Sequence, residues 1–311
     1  MISNLTQEWY ESVRRWHLEL FCIPATLLTL ATMLASPVLL ICIFVSRSLR
    51  QETRYLLVAN TLTADMVFLV LNLAIIIGNA AGAEMPFIVC ELSTAVLVTS
   101  YSCAILTVTL MVADTFTAVR WPLHYHDVMT PGRTHCIMAA VWVLAALYPF
   151  SLMILGKEKW GNPREKVSLC LAHISFNTGE IHTSFFFVVA LICAFLILYC
   201  YIRLYMVTRT QGIWHNRFSR ARVTVLAHGV LLLLYFAPGF VFILELYMFQ
   251  TSPDNFQRSR DVHVWVSTVN NYVLMLLPRA FAPYLYGLRY REIADTLTLL
   301  LHRHRRLGQI T

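Results

Sequence analysis

The sequence predicts an all-α membrane protein: a seven-transmembrane helix bundle with a short amphipathic C-terminal helix. Three observations carry this. Hydrophobic residues make up 58% of the 311 residues and charged residues 13%, with a mean hydropathy of +0.63. That is too apolar for a soluble globular domain. Seven windows, roughly 20–45, 55–78, 87–119, 135–155, 182–208, 223–249 and 262–288, are each apolar over the ~20 residues that a bilayer core demands. Lys and Arg set the direction. With the N-terminus outside, fifteen of them fall on the inner side, from Arg47 to Arg306, eight fall outside, and Arg279 lies within a span. The excess of positive charge inside favours N-out, C-in.

This divides the chain into an extracellular N-terminus (1–19), a helical domain (20–288) and an inner amphipathic helix and tail (289–311). The first 19 residues are polar, so the apolar run from Leu20 reads as a signal anchor rather than a cleaved signal. Asn4-Leu5-Thr6 is a glycosylation acceptor sequence, usable if this end faces the lumen. The net charge of +7 follows from topology and an anionic inner leaflet, with no nucleic acid as partner.

The first span contains Ser36-Pro37, and the proline is expected to bend or locally unwind it. A basic turn, Arg47 to Arg54, leads into the second span with Asn60 and Asp65. The third span is rich in small residues, among them Ser93, Thr94, Ala95, Thr99, Ala104 and Thr107, which allow close approach and hydrogen bonding between helices. Cys90 and Thr115 lie far enough apart for about 37 Å of helix, sufficient to cross a tilted bilayer. The fourth span centres on Trp142 and ends at Tyr148-Pro149. Of eight cysteines, six lie within or at the ends of spans. Cys90 and Cys170 are left outside in an oxidising compartment, so a disulfide between them is the economical pairing. The inner segment from Thr208 to Arg222 is basic with interleaved aromatics and reads as a loop facing lipid and partner. Pro238 kinks the sixth span. Residues 290–303 read as an amphipathic helix on the membrane surface, with Ile293, Leu297 and Leu300 on one face.

These motifs resemble those of rhodopsin-like (class A) G-protein-coupled receptors. The family carries a cysteine at the outer end of the third helix, then Asp-Arg-Tyr and a Pro-Leu-x-Tyr turn. Here the frame is Cys90, Asp114-Thr115-Phe116 and Pro122-Leu123-His124-Tyr125, so threonine stands where the family has arginine. The family's Asn-Pro-x-x-Tyr ending appears as Ala282-Pro283 through Tyr286, and Gly287-Leu288-Arg289 followed by Arg291-Glu292 continues as in odorant receptors. Ser219 to His228 resembles the odorant-receptor opening of the sixth helix, and Phe236 takes the aromatic place before Pro238. Further wording is similar to orphan and fish odorant-receptor-like members.

The resemblance implies a plasma-membrane receptor, chemosensory in type, with a small-molecule ligand, a heterotrimeric G protein and the lipid membrane as partners; for this chain no cofactor or metal is expected. It places the ligand among Leu97, Val98, Tyr101, Phe236, Phe240, Ile243 and Tyr272, and the activation and G-protein face at Asp114, Thr115, Phe116, Pro238, Pro283 and Tyr286. Without the arginine, Asp114 is left to find Arg54, Arg120 or solvent. Family members hold a sodium ion beside the second-helix aspartate, but here Pro37, Ala104 and Ala282 replace its other partners. A buried arginine needs a partner, and Asp65 is the carboxylate at the depth of Arg279, so the two are expected to form an internal ion pair. Alternatives are a receptor-like protein with weak or no coupling and, more remotely, a transporter.

Enzyme chemistry finds no support. The chain has no Gly-rich phosphate loop, nucleophile elbow or CxxC. His124/His126 and His302/His304 are pairs two apart, which are more often solvated than ligating. Asp65 and Asp114 fall on different spans, too far apart to share a reaction.

Overall fold

The computed structural model describes residues 15–121, 123–155, 166–167, 170, 188, 191–192, 194–196, 198–203, 206, 229–231, 233–241, 244, 265–266 and 269–289. Its main helices are α1 (Arg15–Val45), α2 (Thr53–Ala80), α3 (Phe87–Arg120), α4 (Pro131–Leu155), α5 (Ala194–Arg203), α6 (Gly229–Val241) and α7 (Leu277–Arg289). Among the described residues, α1 to α4 are long and apolar enough to cross a membrane. The bounds of α2, α3 and α4 match the expected windows within a few residues. The first helix is longer than expected, beginning at Arg15. Much of windows 182–208 and 223–249, and all of 290–303, lie outside the described residues.

The bundle is built around α3. Of its most apolar 18-residue stretch 72% is buried, against 33, 39 and 22% in α1, α2 and α4. A helix apolar on every side and mostly enclosed is a core helix, whereas its neighbours each keep one face for lipid. On α1 that face is the stripe Ile23, Leu27, Leu30, Leu34, Val38 and Ile41, all exposed at helical spacing. The opposite stripe, Ala25, Thr29, Thr32, Ser36, Leu39 and Ile43, is buried. Small side chains line the inward face because they let backbones approach. The helix runs through Pro37 without interruption, so of the two expected responses, a bend or local unwinding, unwinding does not occur.

Most hydroxyls on these helices do not bridge to neighbours. Thr99, Thr109, Thr115 and Thr117 each donate to the carbonyl four residues earlier at 2.8–2.9 Å. In an apolar medium this is the nearest acceptor. Some polar groups do join helices: the Thr53 and Thr134 hydroxyls lie 2.9 Å apart between α2 and α4, and Asn60 links three helices. Its Nδ2 donates to Thr107 Oγ1 on α3 at 2.8 Å, and its Oδ1 accepts from Trp142 Nε1 on α4 at 2.9 Å.

After α2 the chain turns at Gly82, whose φ of 64° lies in the left-handed region that favours glycine. Met85–Pro86 then pairs antiparallel with Lys166–Val167, in register Met85 with Val167 and Pro86 with Lys166. A disulfide joins Cys90 to Cys170, with Cα atoms 5.6 Å apart. Asn79, near the end of α2, clamps Cys170 itself. Its Nδ2 donates to the Cys170 carbonyl at 2.8 Å, and its Oδ1 accepts from the Cys170 N–H at 2.9 Å. The loop is therefore fastened to α2 and α3 at one end of the bundle.

Candidate functional site

At mid-bundle the described core is not purely apolar. Asp65 on α2 and Arg279 on α7 are both fully buried, and Arg279 Nε lies 3.5 Å from Asp65 Oδ1. This is an ionic contact rather than a well-directed hydrogen bond, because neither atom meets hydrogen-bond geometry with a described partner. The other carboxylate oxygen accepts from Tyr235 Oη on α6 at 2.5 Å. Arg279 Nη1 donates to the Met275 carbonyl. Aromatic rings cover the guanidinium: its Cζ lies 3.7 Å from the Phe68 centroid, 4.9 Å from Tyr101 and 5.4 Å from Tyr235. A cation taken out of water is stabilised both by the carboxylate and by the negative faces of rings.

Local backbone places these groups. Asp65 and Phe68 are three apart on α2 and so face one way. Before α7, Asn270–Leu274 form a turn of π-helix. Such turns change the register of the residues that follow and are frequent at functional positions. Asn270 Nδ2 donates to the Pro238 carbonyl at 3.1 Å, tying this turn to the proline of α6. Tyr101 Oη donates to the Tyr235 carbonyl at 2.8 Å. Proline interrupts the helical ladder, and side-chain donors from neighbours satisfy carbonyls near the bend.

The expected ligand residues divide. Leu97, Val98 and Tyr101 are buried on α3, and Phe236 is half-buried against the core. Phe240 is 61% exposed. Tyr272 falls in the π turn, while Ile243 and the acceptor Asn4 lie outside the described residues. At the other end of α3, Asp114 Oδ1 accepts from Tyr125 Oη at 2.8 Å. This partner was not expected. Arg54 pairs with Glu52 at 2.6 Å while its charge still acts on Asp114, and Arg120 lies over Trp121 at 5.8 Å. Burial first, and then the bond to the Asp114 carboxylate, push the Tyr125 phenol above its ordinary value. Thr115 donates to Met111, and Phe116 meets Trp121 edge-on at 6.2 Å. Pro238, Pro283 and Tyr286 are buried, and Tyr286 Oη reaches Met111 Sδ at 3.9 Å.

A bundle centred on its third helix, a disulfide from that helix to the segment after α4 and a buried cluster linking α2, α3, α6 and α7 define a membrane receptor architecture. Residues 36–274 match the family described as 7 transmembrane receptor (rhodopsin family), and the chain belongs to that family. Its fold is accordingly the seven-helix bundle, and it crosses the membrane several times. A human relative, probable G-protein coupled receptor 148, is 34% identical over 279 residues, covering 87% of this chain and 79% of the relative.

Sequence reasoning paired Asp65 with Arg279, and the structure brings the two together. It missed Phe68 and Tyr235 as their neighbours, and Asn79 as the clamp on Cys170. An amide near a span end was the signal for Asn79, since a buried amide requires partners.

Proposed function

We propose that the protein is a plasma-membrane receptor, N-terminus outside and C-terminus inside, that binds a small and mainly apolar ligand below the Cys90–Cys170 disulfide and signals to a heterotrimeric G protein. The observation that carries this is the position of Tyr101. It is one turn from Leu97 and Val98 on α3, and its hydroxyl holds the Tyr235 carbonyl of α6. A ligand resting on this wall acts on α6 at its proline, and the sequence adds Phe236, Phe240, Ile243 and Tyr272 to the proposed site. Apolar surfaces with a few placed polar groups are usual for such sites. The asymmetry of Lys and Arg supports the orientation. The chemosensory type rests on the odorant-receptor-like wording around Ser219–His228 and Gly287–Glu292.

The test is a second-messenger assay in cells expressing the chain, with a library of small apolar compounds and a basal-activity control. A responding compound should lose its effect in Tyr101→Ala and Phe236→Ala at normal surface expression. Responses left intact in both would overturn the pocket.

Thr115 favours a second reading. Threonine carries no charge, and this one turns back to the Met111 carbonyl. A receptor-like protein that binds its ligand with weak or no coupling, as a sink, chaperone or dimer partner, fits that residue. Saturable ligand binding to membranes without any second-messenger change would decide for it.

A further inference from the structure

Arg279 has the largest fully buried side chain among the described residues. The walls around its guanidinium come from three other helices: Asp65 and Phe68 from α2, Tyr101 from α3 and Tyr235 from α6. The walls also brace one another. Tyr235 donates to Asp65, Tyr101 donates to the Tyr235 carbonyl, and the Phe68 and Tyr101 rings lie 6.2 Å apart. A carboxylate with three ring faces is the chemistry that binds a compact, delocalised organic cation. α7 contributes the cation itself, and the Met275 carbonyl just before α7 accepts from its Nη1.

We infer that Asp65, Phe68, Tyr101 and Tyr235 form a guanidinium-binding site whose resident ligand is the side chain of Arg279, and that filling it holds α6 against α2 and α3. A side chain that merely packs leaves a defect when shortened, and no solute repairs it. A ligand in a built site can be replaced from solution. Ring faces and one carboxylate select a flat cation over sodium, which has no face to stack. The inference is independent of the signalling role, because it is read on the purified full chain without ligand or G protein.

The experiment compares the parent, Arg279→Ala and the double variant Arg279→Ala/Asp65→Asn in detergent. Thermal unfolding and hydrogen–deuterium exchange over residues 229–241 are followed with low-millimolar guanidinium or methylguanidinium, and with sodium chloride or urea as controls. Arg279→Ala should melt roughly 5–10 °C below the parent and exchange faster over 229–241. Guanidinium should restore at least half of both losses in Arg279→Ala and leave the parent and the double variant unmoved. Equal response in Arg279→Ala and the double variant, or none in either, overturns the site. Surface delivery provides an arm that survives poor folding. Asp65→Asn and Arg279→Leu alone should each reach the surface less than Asp65→Asn/Arg279→Leu, because each strands a buried group. Singles no worse than the double overturn the inference as well.

Discussion

The contact between Asp114 and Tyr125 joins the end of α3 to the turn that follows it. With threonine at 115, the carboxylate one residue earlier takes a phenol from the following turn at 2.8 Å. A hydrogen bond to a charged group contributes about 1.5–3 kcal/mol where it is shielded from water, and this one is half-shielded. Tyr125→Phe should therefore lower the melting temperature by a few degrees at neutral pH. The pH dependence has a definite sign. The phenol is raised above its ordinary value by burial and by Asp114, so the stability it contributes is fully present below about pH 10. It is lost only as the pH rises through the higher folded value. Melting curves of parent and Tyr125→Phe should keep a constant gap from neutrality to about pH 9; a gap that closes within that range would count against the contact. Thr115→Arg places a cation beside Asp114 and should alter basal second-messenger output. Identical output at equal surface expression would remove this position from the coupling face.

Among elements, α2, α3 and α4 are joined by one amide. Asn60 gives one hydrogen bond to Thr107 and takes one from Trp142, and such bonds between membrane helices average about 0.6 kcal/mol each. Asn60→Ala loses both and strands the indole N–H, so it should destabilise the purified protein more than Trp142→Phe, which keeps most of the ring packing. The reverse order in thermal melts would show that ring volume, not the amide, holds the joint. Spacing rules serve well on regular helices, as the lipid stripe of α1 shows. On α6, Phe236 is half-buried and Phe240, four residues on, is 61% exposed.

At the scale of the molecule, the two ends and the middle of the bundle are fastened by different chemistry. The disulfide and the Asn79 clamp hold the loop at one end. Removing the covalent link frees a loop 80 residues long in sequence, for which about 4 kcal/mol of stabilisation is usual. Cys90→Ala/Cys170→Ala should sharply reduce surface delivery. Asn79→Ala should reduce it less and make the disulfide more accessible to mild reductant, measured by thiol labelling. A loop as resistant to reduction in Asn79→Ala as in the parent would assign the amide no part in holding it.

The sequence by itself determined the class of fold, the order and approximate bounds of the long helices and the candidate pairs Cys90–Cys170 and Asp65–Arg279. Hydrophobicity and charge act on each segment against the bilayer, so they are legible one window at a time. A scarce group, a lone buried arginine or two cysteines outside the spans, has few partners to choose from. Tertiary structure alone decided which common residues surround those pairs. Phe68, Tyr101 and Tyr235 are three of the chain's many aromatics, and no local rule distinguishes them from residues facing lipid. Their selection depends on how α2, α3 and α6 rotate about one another and on the π turn that sets Arg279 among them. Those rotations are settled by packing between helices, to which each segment contributes only one side.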